Sequence, residues 1–299
     1  MSLPQFLAIT TFLAAAPLAA ADRDSSTTLE IVAPPAELEL SEFYEKCVVV
    51  EGFSIVSSGR VHDAALREAA WLIRRMAGDR PDILKALAAS KTRFAVMAVD
   101  ELTTDVPEHS DLTPSKFWDR RARGLGATPV RPCVSCGEEN LLGYPGDPYA
   151  AENILVHEFA HAMHEMGLNN IDDQFDQRLA AIYEQAMEEG LWKDKYAANN
   201  RMEYWAEGVQ SYFDTNRPPD HDHNHVDTRD ELAQYDPRLF SLIDEVFQQN
   251  PWRYQRPEER DAADRKHLAG YDPGQAPTFR WPEGLQEWYD EYTRQQQSR

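Results

Sequence analysis

Residues 149–166 read YAAENILVHEFAHAMHEM. Apolar side chains recur there at Ile154, Leu155, Phe159, Ala162 and Met166, the three- and four-residue spacing of one helix face. Asp147 is placed to cap this helix, Pro148 suits its first position and Gly167 suits its end. Inside it lies His157-Glu158-Phe159-Ala160-His161, an HExxH. Four residues at about 100° each return to nearly the same face, about 6 Å along the axis. Two imidazoles so placed can both reach one zinc ion at about 2.0–2.1 Å. Glu158, one residue on, is within reach of a water at that metal, where a carboxylate serves as general base. His164, seven residues after His157, shares the face roughly and reads as a supporting or solvated residue rather than a ligand.

A zinc hydrolase takes three protein ligands and leaves a fourth position open. The extended pattern HExxHxxGxxH is absent, because position 164 is histidine and no histidine follows in register. The third ligand must come from another element packed beside this helix. A helix predicted over 200–213 carries Glu203 and Glu207 at i and i+4, on one face. One can bind zinc while the other hydrogen-bonds a ligand histidine. Taken singly, Glu203 also fits a capping box with Asn200, and Glu207 a solvated position.

The HExxH is followed about forty residues later by Tyr196-Ala-Ala-Asn-Asn-Arg-Met-Glu203-Tyr-Trp-Ala-Glu207. This arrangement resembles the anthrax lethal factor and pro-pro endopeptidase group of gluzincin zinc metallopeptidases, over residues 150–213. The resemblance implies a zincin-like fold, Zn2+ as cofactor and a peptide or protein as substrate. It implies His157, His161 and Glu203 as the metal ligands, Glu207 as a supporting residue and Tyr196 as stabiliser of the oxyanion. A phenol O–H aimed at a developing negative oxygen is a sound donor for that role. Cleavage preference does not carry over, since it depends on pocket residues outside the matching stretch.

Outward from this centre the pattern is mixed. Cys47 to Val56 is β-branched and strand-like, and Arg93 to Val99 is the best strand. Helices are predicted from Asp63 to Met76 and from Pro81, then over 173–189, 237–247 and 284–294. Residues 100–146 read as irregular and turn-rich, and 215–230 as a polar loop. The prediction is a helix-rich α+β fold with a small mixed sheet in the N-terminal half and an HExxH active-site helix. One catalytic domain is expected over 41–299, preceded by a loose leader over 22–40. The apolar run Phe6–Ala21 ends in small residues before Asp22. Residues 1–21 therefore read as a secretory signal and the product as exported, secreted or periplasmic. No later run approaches membrane length, so no stable membrane insertion is expected.

Hydrophobic residues make up 42% and charged residues 27%, which fits a globular chain. Acidic residues number 51 against 30 basic, a formal charge of −21 that repels phosphate backbones and argues against nucleic acid as partner. Nothing in the composition sets an oligomeric state. Cys47, Cys133 and Cys136 are expected to form one disulfide and leave one thiol. His221, His223 and His225 alternate in the polar loop; a plain loop is the first reading, with a lid or a second metal cluster as alternatives. The sequence thus points to an exported zinc metallohydrolase, foremost an endopeptidase. Its rivals are a zinc amidase acting on cell-wall or glycan-linked substrates and a non-catalytic exported zinc-binding protein.

Overall fold

The computed structural model describes residues 29–298; the predicted signal segment 1–21 and the first part of the leader lie outside them. Among the described residues one mixed sheet is built from Lys46–Val50 (β1), Phe53–Ser57 (β2), Arg93–Met97 (β3), Gly124–Leu125 (β4) and Cys133–Gly137 (β5). Its order is β1-β2-β3-β5-β4. The three inner strands β2, β3 and β5 run parallel, and the edge strands β1 and β4 pair antiparallel to their neighbours. The α+β class and the mixed sheet thus agree with the sequence.

Two expectations about the strands need correction. The stretch Cys47–Val56 is not one strand but the hairpin β1–β2, with Val50 opposite Phe53. Its two-residue turn places Glu51 at φ 49° and Gly52 at φ 86°. Two successive left-handed residues make the tight turn whose twist matches the strands it joins. Residues 100–146 are not irregular throughout. They supply β4, β5, helix Ser115–Arg121 and helix Glu138–Leu142. All five residues of β5 are buried. A strand buried on both faces shows no alternation, which hid it in the sequence.

Helices Asp63–Ala77 (α1), Pro81–Ala89 (α2) and Ser115–Arg121 (α3) are interleaved with these strands, and Glu138–Leu142 (α4) and Ile154–Ala162 (α5) follow β5. Helices α1, α2 and α5 share one core with Val48, Phe53, Ile55, Phe94 and Val134 of the sheet. The opposite sheet face carries a smaller cluster of Tyr44, Cys47, Val56, Ala95, Met97, Val106 and Cys133. Helix α5 begins later than the sequence indicates. Its cap is Asn153, whose side chain accepts from the Val156 N–H at 3.1 Å; Asp147 instead turns the chain at Tyr149 (2.9 Å). Nor does Gly167 end it. The chain continues through a wide π-type stretch, Met163–Leu168, into Asn169–Ile171 (α6). A Cβ on Gly167 would meet Ile83 of α2 at 2.8 Å. That glycine serves helix contact rather than helix termination.

Phe175–Glu188 (α7), Arg201–Tyr212 (α8), Arg229–Tyr235 (α9), Pro237–Val246 (α10) and Leu285–Gln297 (α11) complete the chain. Helix α8 lies on α5, with the Trp205 indole N–H donating to the Ala160 carbonyl at 2.9 Å. The segment between α10 and α11 folds back over α1. There the Arg260 guanidinium grips the buried Glu68 carboxylate through two bonds of 2.9 and 2.7 Å. Helix α11 packs on α3, stacking Tyr289 against Phe117.

The expected disulfide does not form: all three cysteines are free and buried. Cys47 on β1 and Cys133 on β5 are separated by β2 and β3, three strand spacings or about 14 Å. A disulfide spans less than about 7 Å between Cα atoms. Cys133 and Cys136 are three apart on one strand and so face opposite sides of the sheet. Burial pushes the thiols up, that of Cys47 to about 11.

Candidate metal centre

Helix α5 presents His157 and His161 one turn apart, and the first turn of α8 presents Glu203 to both. The cap of α8 is Asn200, whose side chain accepts from the N–H groups of Met202 (2.9 Å) and Glu203 (3.0 Å). The Glu203 carboxylate does not turn back to close a capping box. It faces the imidazoles, with Oε2 at 3.1 Å from His157 Nε2 and 3.3 Å from His161 Nε2. The two Nε2 atoms are 3.1 Å apart. Three donors bonded to one ion at about 2.0–2.1 Å in tetrahedral geometry stand about 3.3 Å from one another. The triangle of Nε2, Nε2 and Oε2 has that size. Glu158 lies beside it, and one donor atom from each of His157, Glu158 and His161 falls within 4.8 Å of the others.

The electrostatics favour a cation at this triangle. Burial alone would lower the affinity of His157 for a proton, but the contact with Glu203 and the charges of Glu158, Glu203 and Glu207 raise its pKa to about 10. Burial alone would raise Glu203, yet the two imidazoles hold it well below the usual carboxylate range. Glu158 moves the other way. Burial raises it, the imidazoles only partly oppose that, and Glu203 and Glu152 add to the rise. A buried carboxylate whose pKa has risen is better matched to taking a proton near neutral pH.

Behind the triangle the structure assigns a hydrogen bond that the sequence reading gave to Glu207. His157 Nδ1 stands 2.8 Å from Gln210 Oε1 but 3.7 Å from the Glu207 carboxylate. The Gln210 amide nitrogen donates to Glu152 Oε2 (3.2 Å) and to the Asn153 carbonyl (3.3 Å). That fixes its oxygen toward His157 as acceptor of the Nδ1 proton, which leaves Nε2 as the ring nitrogen directed at the triangle. Glu207 is buried one turn away, accepting from Asn216 Nδ2 at 3.1 Å and lying 3.5 Å from His223 Nε2. The signal for Gln210 was present: Glu203, Glu207 and Gln210 recur at four-then-three spacing on one helix face. Gln210→Leu is expected to weaken zinc binding by about ten- to a hundredfold while the fold persists, as read by competition with a chromophoric chelator.

Tyr196 sits in a short turn, Tyr196–Ala198, just before α8. Its ring centroid is 6.2 Å from that of His157. Burial pushes its pKa up and Glu203 adds to the rise, so it remains a protonated donor. Beside it opens a cleft of about 330 Å³, lined by His157, Glu158, Tyr196, Arg121, Tyr149 and Tyr289 among others. The edge strand β4 forms its rim. A Cβ on Gly124 would meet Ile154 at 2.4 Å and Glu158 at 3.0 Å, and one on Gly126 would meet His161 at 2.7 Å. Both glycines therefore allow the strand to press directly on the HExxH helix.

The remaining histidines separate. His164 is fully buried and points away from the triangle, with Nε2 at 2.9 Å from Asp176 and its ring against Phe175. The loop histidines diverge. His221 is exposed beside Asp222, and His225 packs on Tyr235. His223 turns inward to line the cleft, with Nδ1 at 2.9 Å from Asp220. They form no second cluster, and the loop serves as cleft wall. Among known proteins, no family model matches this chain and no curated protein matches it.

Proposed function

We propose that this protein is an exported zinc metallopeptidase of the gluzincin type, an endopeptidase with a zincin-like catalytic domain over 41–299. The observation that carries this reading is the triangle of His157, His161 and Glu203, sized for one tetrahedral ion, with Glu158 beside it. His157, His161 and Glu203 would hold the zinc, and Gln210 and Glu207 would support them from behind. When bound, zinc lowers the pKa of a water toward about 7 and polarises the carbonyl under attack. Glu158 takes the proton of the attacking water and later passes it to the leaving amine. Tyr196 donates its hydroxyl to the oxygen that gains charge. Edge strand β4, with β5 as its one sheet neighbour among the described residues, borders the cleft at Gly124, and a sheet edge is a means by which an extended peptide is held. His164 lies outside the donor set, which argues against a closed, purely structural site.

The test is cleavage of a diverse peptide library, read by mass spectrometry. Zinc-loaded protein is expected to cut internal bonds, a chelator to abolish the cuts and added zinc to restore them. Absence of any cut by folded, zinc-loaded protein would overturn the peptidase reading and direct attention to cell-wall amides.

A further inference from the structure

The cleft beside the metal triangle carries charges of both signs, and nearly all are already matched. Arg123 is fully buried with its guanidinium on Glu139, at 2.6 Å from Nε and 3.0 Å from Nη2. Arg217 pairs with Glu152 and lies 3.4 Å from Asp220. Of the acids, Glu207 is held by Asn216 (3.1 Å) and Asp222 by His221 (2.9 Å).

Arg121 differs. It is the last residue of α3, it lines the cleft and it remains solvent-accessible. No carboxylate stands within ion-pair distance of it among the described residues; its polar neighbours are the hydroxyls of Tyr196, Tyr289 and Tyr149. Tyr149 donates its hydroxyl to the carbonyl oxygen of Arg121 at 2.7 Å, which fixes the backbone from which the side chain projects. Arg120, the residue before it in α3, lies over the rings of Trp281 and of Tyr289 in α11, which anchors the end of the helix. A guanidinium presents five donors in a planar fork that matches a carboxylate, and tyrosine hydroxyls occupy few of them. In a chain of net charge −21, a cation held in the cleft without an internal counter-charge is poised for an anion from outside.

We propose that Arg121 is a specificity-determining residue that receives a carboxylate of the peptide substrate. The inference rests on the peptidase reading and deepens it. Its contact with Tyr196, the oxyanion donor, places the receptor within about one or two residues of the scissile bond, at about 3.3 Å per extended residue. An aspartate or glutamate side chain and a free C-terminal carboxylate present the same chemistry.

The test uses zinc-loaded protein and matched peptide pairs differing in a single group. In one arm aspartate replaces asparagine at successive positions around the cut. In the other a free C-terminus replaces an amide. In at least one register kcat/KM is expected to favour the acidic member by about tenfold or more, the value of a charge-assisted hydrogen bond. Arg121→Ala should erase that ratio and Arg121→Lys should keep part of it. Because Arg121 also touches Tyr196, the ratio is the readout rather than overall turnover. A wild-type ratio near one in every register, or a ratio that survives in Arg121→Ala, would sink the inference while leaving the peptidase reading intact. If no peptide is cut, that reading fails instead. Calorimetric binding of the same pairs then decides Arg121: tighter binding of the acidic member, lost in Arg121→Ala, upholds it, and equal binding overturns it.

Discussion

Glu158→Gln is expected to keep one equivalent of zinc and to lower kcat by about a thousandfold. The first part follows from geometry. The donor triangle is made by His157, His161 and Glu203, and a glutamine is nearly isosteric with the carboxylate beside it. The second follows from chemistry. An amide cannot take the proton of the attacking water, and a positioned general base contributes about 10²–10⁴-fold. Metal content by mass spectrometry and turnover on any cleaved peptide give the two readings. Near-normal turnover would remove Glu158 from the mechanism; loss of zinc would mean that the carboxylate helps to hold the ion.

Glu203→Ala is expected to strip the metal. Glu203 supplies one corner of the triangle and the only negative charge in it. Its loss should cost more affinity than the ten- to hundredfold commanded by an outer partner. Glu207→Ala should fall within that smaller range, because its carboxylate lies behind His157 at 3.7 Å and is bound to Asn216. Equilibrium dialysis against buffered zinc compares the two. Zinc retained at full stoichiometry in Glu203→Ala but lost in Glu207→Ala would exchange their roles.

Both arguments use residues that could be found in the sequence, and the reason is periodicity. His157 and His161, like Glu203 and Glu207, sit four apart on helices, so the helical repeat alone places each pair on one face. What brings α5 and α8 together is a tertiary contact, and from the sequence only the resemblance chose between the two glutamates. Gln210 escaped because an amide carries no charge to draw notice, though its spacing continued the pattern. Strand β5 escaped because CVSCG is buried on both faces and shows no alternation. Gly167 misled because a glycine near a helix end has two explanations, a stop or a close approach. Only the position of Ile83 in space tells them apart. The cysteines misled in a similar way, since spacing along the chain cannot reveal that two strands separate Cys47 from Cys133.

Those thiols have a kinetic consequence. All three are completely shielded from solvent, so an oxidant or alkylating reagent meets them only after the sheet has parted. Modification then proceeds at the pace of opening, whatever the reagent's own reactivity. Position in the sheet ranks the three. Cys47 lies on the outer strand β1, held on its far side only by a two-bond bridge to Val32, and is released when that short segment frays. Cys136 lies on β5 between β3 and β4, and Cys133 on the same strand pairs with β3, a parallel partner distant in sequence. The order in which the sulfurs react is thus a built-in record of how the molecule comes apart, edge first or all at once.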